Sequence, residues 1–466
     1  MTDILLSHGY FLYEDPKELE IMKPYPTLGL LYISAYLKNA GFSVELFDTT
    51  FAERQSLYDR FKHDSSGVLG LYVNLMTRQP ILDIIEHAKA ANWTVVLGGP
   101  EAANYPDEYL QAGADVVVIG EGEQTMAELL PAIDKQGVHR LDGVNGIVFY
   151  DEEGSIKRTA ARSNIADIDS IPWPDREQID ISRYVDVWRE HHGMGSINLI
   201  TARGCPYKCK WCSHAVFGYS HRRRHFKNCA DEVEFLVKTY SPDQIWYADD
   251  VFTISNPWLY NYAEELKRRK IHLPFETISR ADRMTNEKVI KTLAEMGCYR
   301  IWIGSESGSQ RILDKMERGV TAEQVQWATK TAQKYGIEVG MFLMWGYDGE
   351  TEEDIAATIE HVKNCNPDIY FTTVSYPIKD TVYYNDLGDK VVTDQNWRDI
   401  SDRDYKVKGR HSRQYYSFAD QWLRNEVDAF RLEICNPASP AEAQIKRQLG
   451  SEARNNMRKV EADVEA

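Results

Sequence analysis

The chain has 466 residues, 43% of them hydrophobic and 27% charged, with a formal net charge of −17. That length exceeds one ordinary core and implies two or three domains, and the acidic balance argues against nucleic-acid binding, which needs Lys and Arg to displace counterions. No run reaches the length of a membrane span, and Met1-Thr2-Asp3-Ile4-Leu5 leads straight into a strand pattern, so the expected setting is a reducing cytoplasm with small-molecule partners.

From residue 1 to about 135, short apolar runs alternate with helical periodicity. Strands are predicted at Ile4–Ser7, Ser43–Phe47, Val68–Val73, Thr94–Gly98 and Asp115–Ile119. Helices are predicted near Leu28–Ala40, Gln79–Ala91, Asp107–Ala112 and Glu123–Ile133. This alternation indicates a doubly wound parallel sheet, whose ligands sit beyond the carboxyl ends of the strands. Three stretches stand out: Tyr25-Pro26-Thr27-Leu28-Gly29-Leu30-Leu31-Tyr32, Gly98-Gly99-Pro100-Glu101-Ala102 and Ile119-Gly120-Glu121-Gly122-Glu123. Their glycines would let backbone approach a bulky ligand, although each stretch alone is equally an ordinary tight turn of a flavodoxin-like domain.

Residues 136–195 read as a connector, with a short hairpin of Gly146–Tyr150 and Ser155–Arg158 and extended chain around Pro172-Trp173-Pro174. A second βα series occupies 196–380. Its strands are Ile197–Thr201, Gln244–Tyr247, Phe275–Ile278, Arg300–Ile303, Glu338–Leu343 and Ile369–Val374. Its helices include Asp231–Tyr240, Trp258–Arg269, Asn286–Met296, Ala322–Tyr335 and Thr351–Cys365. Six repeats suggest a partial (β/α)6 barrel with its chemistry at the carboxyl ends of the strands. Residues 381–466 read as a small, mostly helical C-terminal region, with an amphipathic helix over Tyr415–Leu432 and a mixed-charge tail over Ala441–Ala466. No basic RNA-binding module is evident there.

The densest chemistry lies just after the first strand of the second series, in Cys205-Pro206-Tyr207-Lys208-Cys209-Lys210-Trp211-Cys212. Three thiolates at this spacing can hold three irons of a 4Fe–4S cluster and leave the fourth open to an exogenous ligand. Zinc is the competing reading: structural zinc takes four ligands, and His214 would complete a Cys3His set. Isolated buried thiols are the poorest account, because three of the seven cysteines fall within eight residues. Cys229, Cys298, Cys365 and Cys435 share no spacing and read as structural thiols.

The C-x3-C-x2-C spacing, with an aromatic residue before the last cysteine, resembles the signature of the radical-SAM superfamily, in which S-adenosylmethionine (SAM) fills the open iron site. The three glycine-bearing stretches, in this order, resemble the cobalamin-binding domain that precedes many radical-SAM domains. Over about residues 1–375 the chain therefore resembles a cobalamin-dependent radical-SAM enzyme of the group containing anaerobic magnesium-protoporphyrin ester cyclase and the phosphinate P-methylases. The resemblance implies that Cys205, Cys209 and Cys212 ligate the cluster. It places Asp249 and Asp250, in Tyr247-Ala248-Asp249-Asp250-Val251-Phe252-Thr253, at the SAM ammonium, though one of them could cap the helix ahead of Asn256-Pro257. Arg280 offers a planar fork for the SAM carboxylate. Gly304-Ser305-Glu306-Ser307-Gly308-Ser309 matches the Gly-x-Glu-Ser-Gly motif, with Glu306 accepting from ribose hydroxyls or the ammonium and Gly308 leaving room for the ligand. Trp211 would pack beside the SAM adenine or the cluster, or simply form a wall. Gly346-Tyr347-Asp348-Gly349-Glu350-Thr351 carries Asp348 where relatives often have proline.

On the cobalamin side, the resemblance assigns Thr27, Gly29, Gly98, Gly99, Pro100, Gly120, Glu121 and Gly122 to the cofactor. The Asp-x-His-x-x-Gly pattern of histidine-ligated cobalt is missing, since His8 and His63 lie in the wrong context. Asn74-Leu75-Met76-Thr77 would then cover the lower face, with no strong ligand expected from it. Arg222-Arg223-Arg224-His225 is by default a solvated basic run, and otherwise an anion or cobalamin contact. Some relatives use an extra cysteine, which leaves Cys298 and Cys365 as further candidates.

The implied reaction is methylation of an unactivated carbon, or of phosphorus. One SAM methylates the cobalt; a second is cleaved to a 5′-deoxyadenosyl radical that removes a substrate hydrogen atom, and the substrate radical takes the methyl group. The implied partners are a small-molecule substrate and an electron donor such as flavodoxin or ferredoxin. Two alternatives stay open: ring-forming or oxidative chemistry with the same cofactors, and a non-catalytic cobalamin-binding sensor or carrier with a structural cluster. The sequence does not identify the substrate.

Overall fold

The computed structural model describes residues 2–64, 66–435 and 440–466. The chain divides into two compact units. The first comprises Met1–Pro206, Ser213–Ala248 and Gln395–Ser401; the second comprises Tyr207–Cys212, Asp249–Asp394 and Asp402–Ala466.

In the first unit, seven strands form one sheet: β1 (Ile4–His8), β2 (Val44–Phe47), β3 (Val68–Tyr72), β4 (Thr94–Gly98), β5 (Val116–Val118), β6 (Ile147–Tyr150) and β7 (Ile156–Arg158), in the order β2-β1-β3-β4-β5-β6-β7. The first five are parallel, and β6 and β7 are antiparallel additions at the edge. Around them run α1 (Pro16–Ile21), α2 (Leu28–Asn39), α3 (Arg54–His63), α4 (Arg78–Ala90), α5 (Pro100–Asn104), α6 (Pro106–Gln111) and α7 (Gly122–Gln136). Successive strand residues point to opposite faces, so Leu5, Leu69, Leu71, Val95 and Leu97 pack on α3 and α4, whereas Ile4, Leu6, Val96 and Val116 pack on α2 and α7. The chain winds outward in opposite directions from β1 and β3, so a crevice opens beyond their carboxyl ends.

All five strands expected here form. Helix α3 was not foreseen because only Leu57, Tyr58 and Phe61 of its ten residues are buried, too few to impose a visible period. The hairpin expected in a connector instead extends the sheet through the β5–β6 pairing. The unit continues with α8 (Ile181–His192), β8 (Ser196–Leu199), β9 (Ala202–Arg203), β10 (Arg222–Arg223), α9 (Phe226–Tyr240) and β11 (Gln244–Tyr247). Strands β8 and β11 pair in parallel, and β9 and β10 form a short antiparallel ribbon. Residues Gln395–Ser401 return to this unit: Trp397 meets the Tyr109 ring edge-on at 4.9 Å, and the Ile400 carbonyl accepts from Arg78 at 2.7 Å.

The second unit carries α10 (Asn256–Arg268), β12 (Phe275–Ser279), α11 (Glu287–Met296), β13 (Cys298–Glu306), α12 (Gln310–Lys315), α13 (Ala322–Lys334), β14 (Glu338–Trp345), α14 (Glu352–Cys365) and β15 (Ile369–Val374). Its four strands are parallel, each beside the next. Leu343 and Trp345 turn toward Ile355, Ile359 and Val362 of α14, which fixes that side of the sheet as the helix-covered face. After α15 (Val382–Leu387) and a short ribbon of β16 (Val391–Val392) with β17 (Lys406–Val407), helices α16 (Arg413–Cys435) and α17 (Pro440–Lys459) close the chain. Their Leu423, Val427, Ala453 and Met457 join the core of α14. Six strands expected between 196 and 380 are present as β8, β11, β12, β13, β14 and β15. No helix among the described residues is long and apolar enough to cross a membrane.

Candidate active site

Strand β12 ends at Ser279 and delivers Arg280, which is buried. Its Nη1 lies 3.5 Å from Cys209 Sγ, its Nε donates to Asp282 at 2.9 Å, and its Nη2 donates to the Arg318 carbonyl at 2.7 Å. The guanidinium also stacks 3.6 Å above the Tyr207 ring. Arg318, likewise buried, places Nη1 3.8 Å from the same sulfur and Nη2 2.8 Å from the Gly304 carbonyl. Cationic neighbours favour a thiolate, the form that binds iron. The hydrogen bond between Cys209 and Cys212, aided by the Arg318 and Arg280 charges, outweighs desolvation and lowers the Cys209 pKa to about 5.

The end of β13 supplies a second feature. Glu306 is held at φ +61°, and the register with β14 slips between Gly304 and Glu306, a bulge that re-aims the side chain. A left-handed non-glycine residue beside a buried cluster of charges is the kind of strain that gathers at functional sites. The Glu306 carboxylate folds back over Gly304, where an added methyl would lie 2.6 Å from Oε1 and 2.9 Å from Arg318 Nη2. Its ion-pair partner, Arg318 Nε, is 3.9 Å away, and that nitrogen makes no hydrogen bond among the described residues. Burial pushes the Glu306 carboxyl up to about 7, against the opposing pull of Arg318. A largely buried acid, with no ion-pair partner nearer than 3.9 Å, and a buried guanidinium nitrogen without a hydrogen bond thus meet at one strand end.

The neighbours of Glu306 face the other way. The Ser305 hydroxyl lies 3.0 Å from His361 Nε2, Ser307 Oγ lies 3.1 Å from Thr358 Oγ1, and the Gly308 N–H donates to Thr358 Oγ1 at 3.0 Å. A methyl on Gly308 would run into Ala357, Thr358 and His361, so the space this glycine leaves is filled by α14. Trp211 packs against a core that includes Ile312, Met316, Met344, Tyr347 and Tyr383. Asp249 is buried and Asp250 exposed; Cys205 is half-buried and Cys212 exposed. Among the described residues no three His, Cys, Asp or Glu side chains are gathered closely enough to hold a metal ion, the three cysteines of the loop included, and His214 lies tilted against Tyr219 with centroids 4.2 Å apart.

In the first unit, the three glycine-bearing stretches all lie at the carboxyl ends of the parallel strands. Thr27 opens α2 and Pro100 opens α5. A methyl on Gly29 would meet nothing within 4 Å, and one on Gly98 would only graze Val118 at 4.0 Å, so both border open space. Gly99 (φ +106°) and Gly120 (φ +87°) need left-handed backbone, and Gly122 gives way to Ile33 at 2.9 Å. Glu121 accepts from Arg203 at 2.8 Å, from Arg222 at 2.6 Å and from the Ile165 N–H at 2.7 Å, while Glu123 takes Arg203 at 2.6 Å.

The Arg222-Arg223-Arg224 run is therefore not a solvated stripe. Arg222 pairs with Glu121, and buried Arg224 pairs with Glu232. The partner of Arg222 lies about a hundred residues away, out of reach of any local charge pattern. The loop after β3 is closed on itself: Asn74 Oδ1 accepts from the Met76 N–H at 2.9 Å, and Met76 is exposed. His8 has both ring nitrogens engaged, one by Asp48 at 3.0 Å and the other by Thr49 at 2.9 Å and the Tyr10 N–H at 3.2 Å.

Sequence reasoning missed Arg318 and His361, neither of which sits in a recognisable motif, and missed Tyr207 as a stacking partner although it lies inside the cysteine stretch. Cys229, Cys298 and Cys365 are buried, and burial raises the Cys365 thiol to about 12. The side chain of Cys435 lies outside the described residues.

Two family models match the chain: the B12 binding domain over residues 19–130 and the Radical SAM superfamily over residues 199–362. The chain is 28% identical over 396 residues to an uncharacterized methyltransferase of Pyrococcus horikoshii, covering 83% of this chain and 84% of that protein. It is also 28% identical over 382 residues to the anaerobic magnesium-protoporphyrin IX monomethyl ester cyclase of Rubrivivax gelatinosus, covering 80% and 68%. Its fold is shared with the cobalamin-dependent S-adenosylmethionine radical enzyme OxsB, solved with aqua-cobalamin and S-adenosylmethionine bound. There the TM-score is 0.77 at 17% identity, covering 98% of this chain and 72% of that one.

Proposed function

For a chain that belongs to the cobalamin-dependent radical SAM enzymes through its paired B12-binding and radical SAM domains, we propose methyl transfer to an unactivated carbon, or to phosphorus, of a small molecule. Its cofactors are a 4Fe–4S cluster, SAM and cobalamin. When bound, the cluster and SAM supply a 5′-deoxyadenosyl radical, and cobalamin carries the methyl group.

The observation that carries the reading is the pair of guanidinium groups at Cys209 beside the under-partnered Glu306. In this reading Cys205, Cys209 and Cys212 ligate the cluster. Arg280 has already stacked on Tyr207 and been fixed by Asp282, so its fork is pre-oriented for a carboxylate. Glu306 gains its missing partner from a ligand ammonium or hydroxyl, with Asp249 and Asp250 nearby in sequence to the end of β11. Ser305, Ser307 and Gly308 hold the strand end on α14, and Trp211 stiffens the wall behind the cysteine loop. In the first unit Gly29 and Gly98 border the space for cobalamin, Thr27, Gly99, Pro100, Gly120 and Gly122 shape its rim, and Glu121 ties the rim to Arg203 and Arg222.

The domain plan that follows is a cobalamin-binding domain at 1–135, a connector at 136–195, a radical SAM domain at 196–380 and a C-terminal region at 381–466. The two family matches fall within the first and third of these. A small-molecule substrate and an electron donor such as flavodoxin or ferredoxin complete the reading. Ring-forming or oxidative chemistry is a second reading, favoured by the similarity to the Rubrivivax gelatinosus cyclase over 80% of the chain. A non-catalytic carrier is set aside by the radical SAM match.

The test is an anaerobic incubation of chain reconstituted with iron, sulfide and hydroxocobalamin, using SAM labelled in its methyl group and candidate substrates. Equal yields of S-adenosylhomocysteine and 5′-deoxyadenosine, with label in the product, support methyl transfer. 5′-Deoxyadenosine without labelled product favours the second reading. SAM recovered intact sinks both.

A further inference from the structure

On the face of the second unit's sheet opposite α14, three aromatic rings from three neighbouring strands overlap in offset stacks. Trp302 of β13 stacks with Phe342 of β14 at 5.2 Å and 17°, and with Phe371 of β15 at 5.7 Å and 16°; Phe342 and Phe371 are 6.4 Å and 21° apart. Offset stacking is one of the two arrangements that aromatic pairs prefer, and here it links three strands.

The residues beneath the rings explain the flatness. Trp302 is in register with Gly340, and a methyl there would run into the indole ring, so glycine is what lets the indole lie down over β14. Its Nε1 donates to Glu276 at 3.0 Å, which fixes the ring's rotation. Phe342 is in register with Phe371 on one side and with Gly304 on the other, and over Gly304 lies the Glu306 carboxylate. The floor therefore runs continuously from Phe371 to the Glu306–Arg318 pair. It is also uncovered: Phe371 is 53% exposed, and Trp302 and Phe342 are half-buried. Three large apolar rings left open in this way lose hydrophobic burial that covered packing would have gained.

We propose that Trp302, Phe342 and Phe371 form a stacking platform for the substrate, and that the substrate carries a planar, aromatic or conjugated ring. This rests on the radical SAM reading only for the placement of that ring beside Glu306. A flat ring extends this stack face to face, whereas a puckered saturated ring of the same size touches it only at scattered hydrogens.

The experiment is calorimetric titration of the reconstituted full chain with 2-naphthoate and with decahydro-2-naphthoate, which share carbon skeleton and charge and differ in flatness. The flat acid is expected to bind about tenfold tighter. Phe371→Ala, at an exposed site that folding does not need, should remove most of that difference, and Phe371→Tyr should restore it. Equal affinity for the two acids, no binding of either, or an equal effect of Phe371→Ala on both overturns the platform. Iron, cobalt and 5′-deoxyadenosine are measured on the same sample. A chain that loads and cleaves SAM but does not prefer the flat acid loses the platform alone; one that prefers it without loading loses the radical SAM reading alone.

Discussion

Glu121 in the first unit and Glu306 in the second occupy matching places in their units. Each lies at the carboxyl end of a parallel strand, each has glycine close by in sequence, and each sits beside arginine, Glu121 buried and Glu306 largely so. Their electrostatic states are opposite. Glu121 takes three hydrogen bonds, two of them charge-assisted, and closes a network that includes Glu123, Arg203 and Arg222. Glu306 has one arginine at 3.9 Å, and its carboxyl titrates near 7. The first arrangement satisfies its carboxylate without a ligand and serves to tie the rim of a crevice to the ribbon of β9 and β10. The second is incomplete, and an incomplete buried charge is what a ligand with complementary charge can stabilise.

The largest expected effect separates the two units altogether. Cys209→Ser should abolish iron loading and cut SAM cleavage by more than about a thousandfold, because no other residue replaces the lost thiolate. Cobalt retention, measured on the same reconstituted sample, should stay near that of the unaltered chain. Loss of cobalt together with iron would break the comparison, since it would mean that the crevice depends on the cluster.

Glu121→Gln attacks the completed network. It leaves Arg222 with a neutral partner and Arg203 with Glu123 as its one remaining carboxylate, which should cost about 3 kcal/mol in thermal or urea unfolding of the metal-free chain. Glu306→Gln should do the reverse. The native pKa of Glu306, about 7, lies above the ordinary carboxylate value of 4.5, so the folded chain binds the proton more tightly than the unfolded one. Stability therefore falls as pH rises from 4.5 to 7 and stays reduced above that. Removing the charge should make the metal-free chain more stable by roughly 3 kcal/mol at pH 8 and no different below pH 4.5. SAM binding, read by equilibrium dialysis, should weaken in the same variant. A Glu306→Gln chain destabilised at pH 8 would show that Glu306 is a structural charge like Glu121.

Much of this was legible in the sequence, and the limits follow a physical line. The strands came through because burial on both faces writes continuous apolar runs, as in Val68–Tyr72 and Thr94–Gly98. The cysteine loop and the Gly-Ser-Glu-Ser-Gly stretch came through because local spacing carries their chemistry. What local spacing does not carry is the partner of a charge. Nothing near Arg222 announces Glu121, nothing near Cys209 announces Arg318, and nothing in Gly308 distinguishes room for a ligand from room for α14. The segment Gln395–Ser401 that returns to grip Arg78 belongs to the same class, since its hydrogen bonds to that arginine come from backbone carbonyls that any sequence possesses.

The smallest effect tests how firmly Glu306 is held. Gln326 Nε2 lies 3.4 Å from His361 Nδ1 and can only donate, so Nδ1 accepts and the Nε2–H faces Ser305 Oγ at 3.0 Å and Cys365 Sγ at 3.6 Å. This arrangement requires a neutral ring, and burial, only partly countered by Glu323, depresses the His361 pKa from 6.5 to about 4. A histidine with a depressed native pKa contributes stability that is complete above pH 6.5 and lost as pH falls toward 4. The unaltered chain should lose about 2 kcal/mol between pH 8 and pH 5 from this group alone, and His361→Gln should flatten that part of the acid slope. The slope is the informative quantity, because the substitution also changes packing at every pH. If melting temperatures of the two chains stay parallel from pH 8 to pH 5, the ring is not held neutral, and α14 does not brace the strand end that carries Glu306.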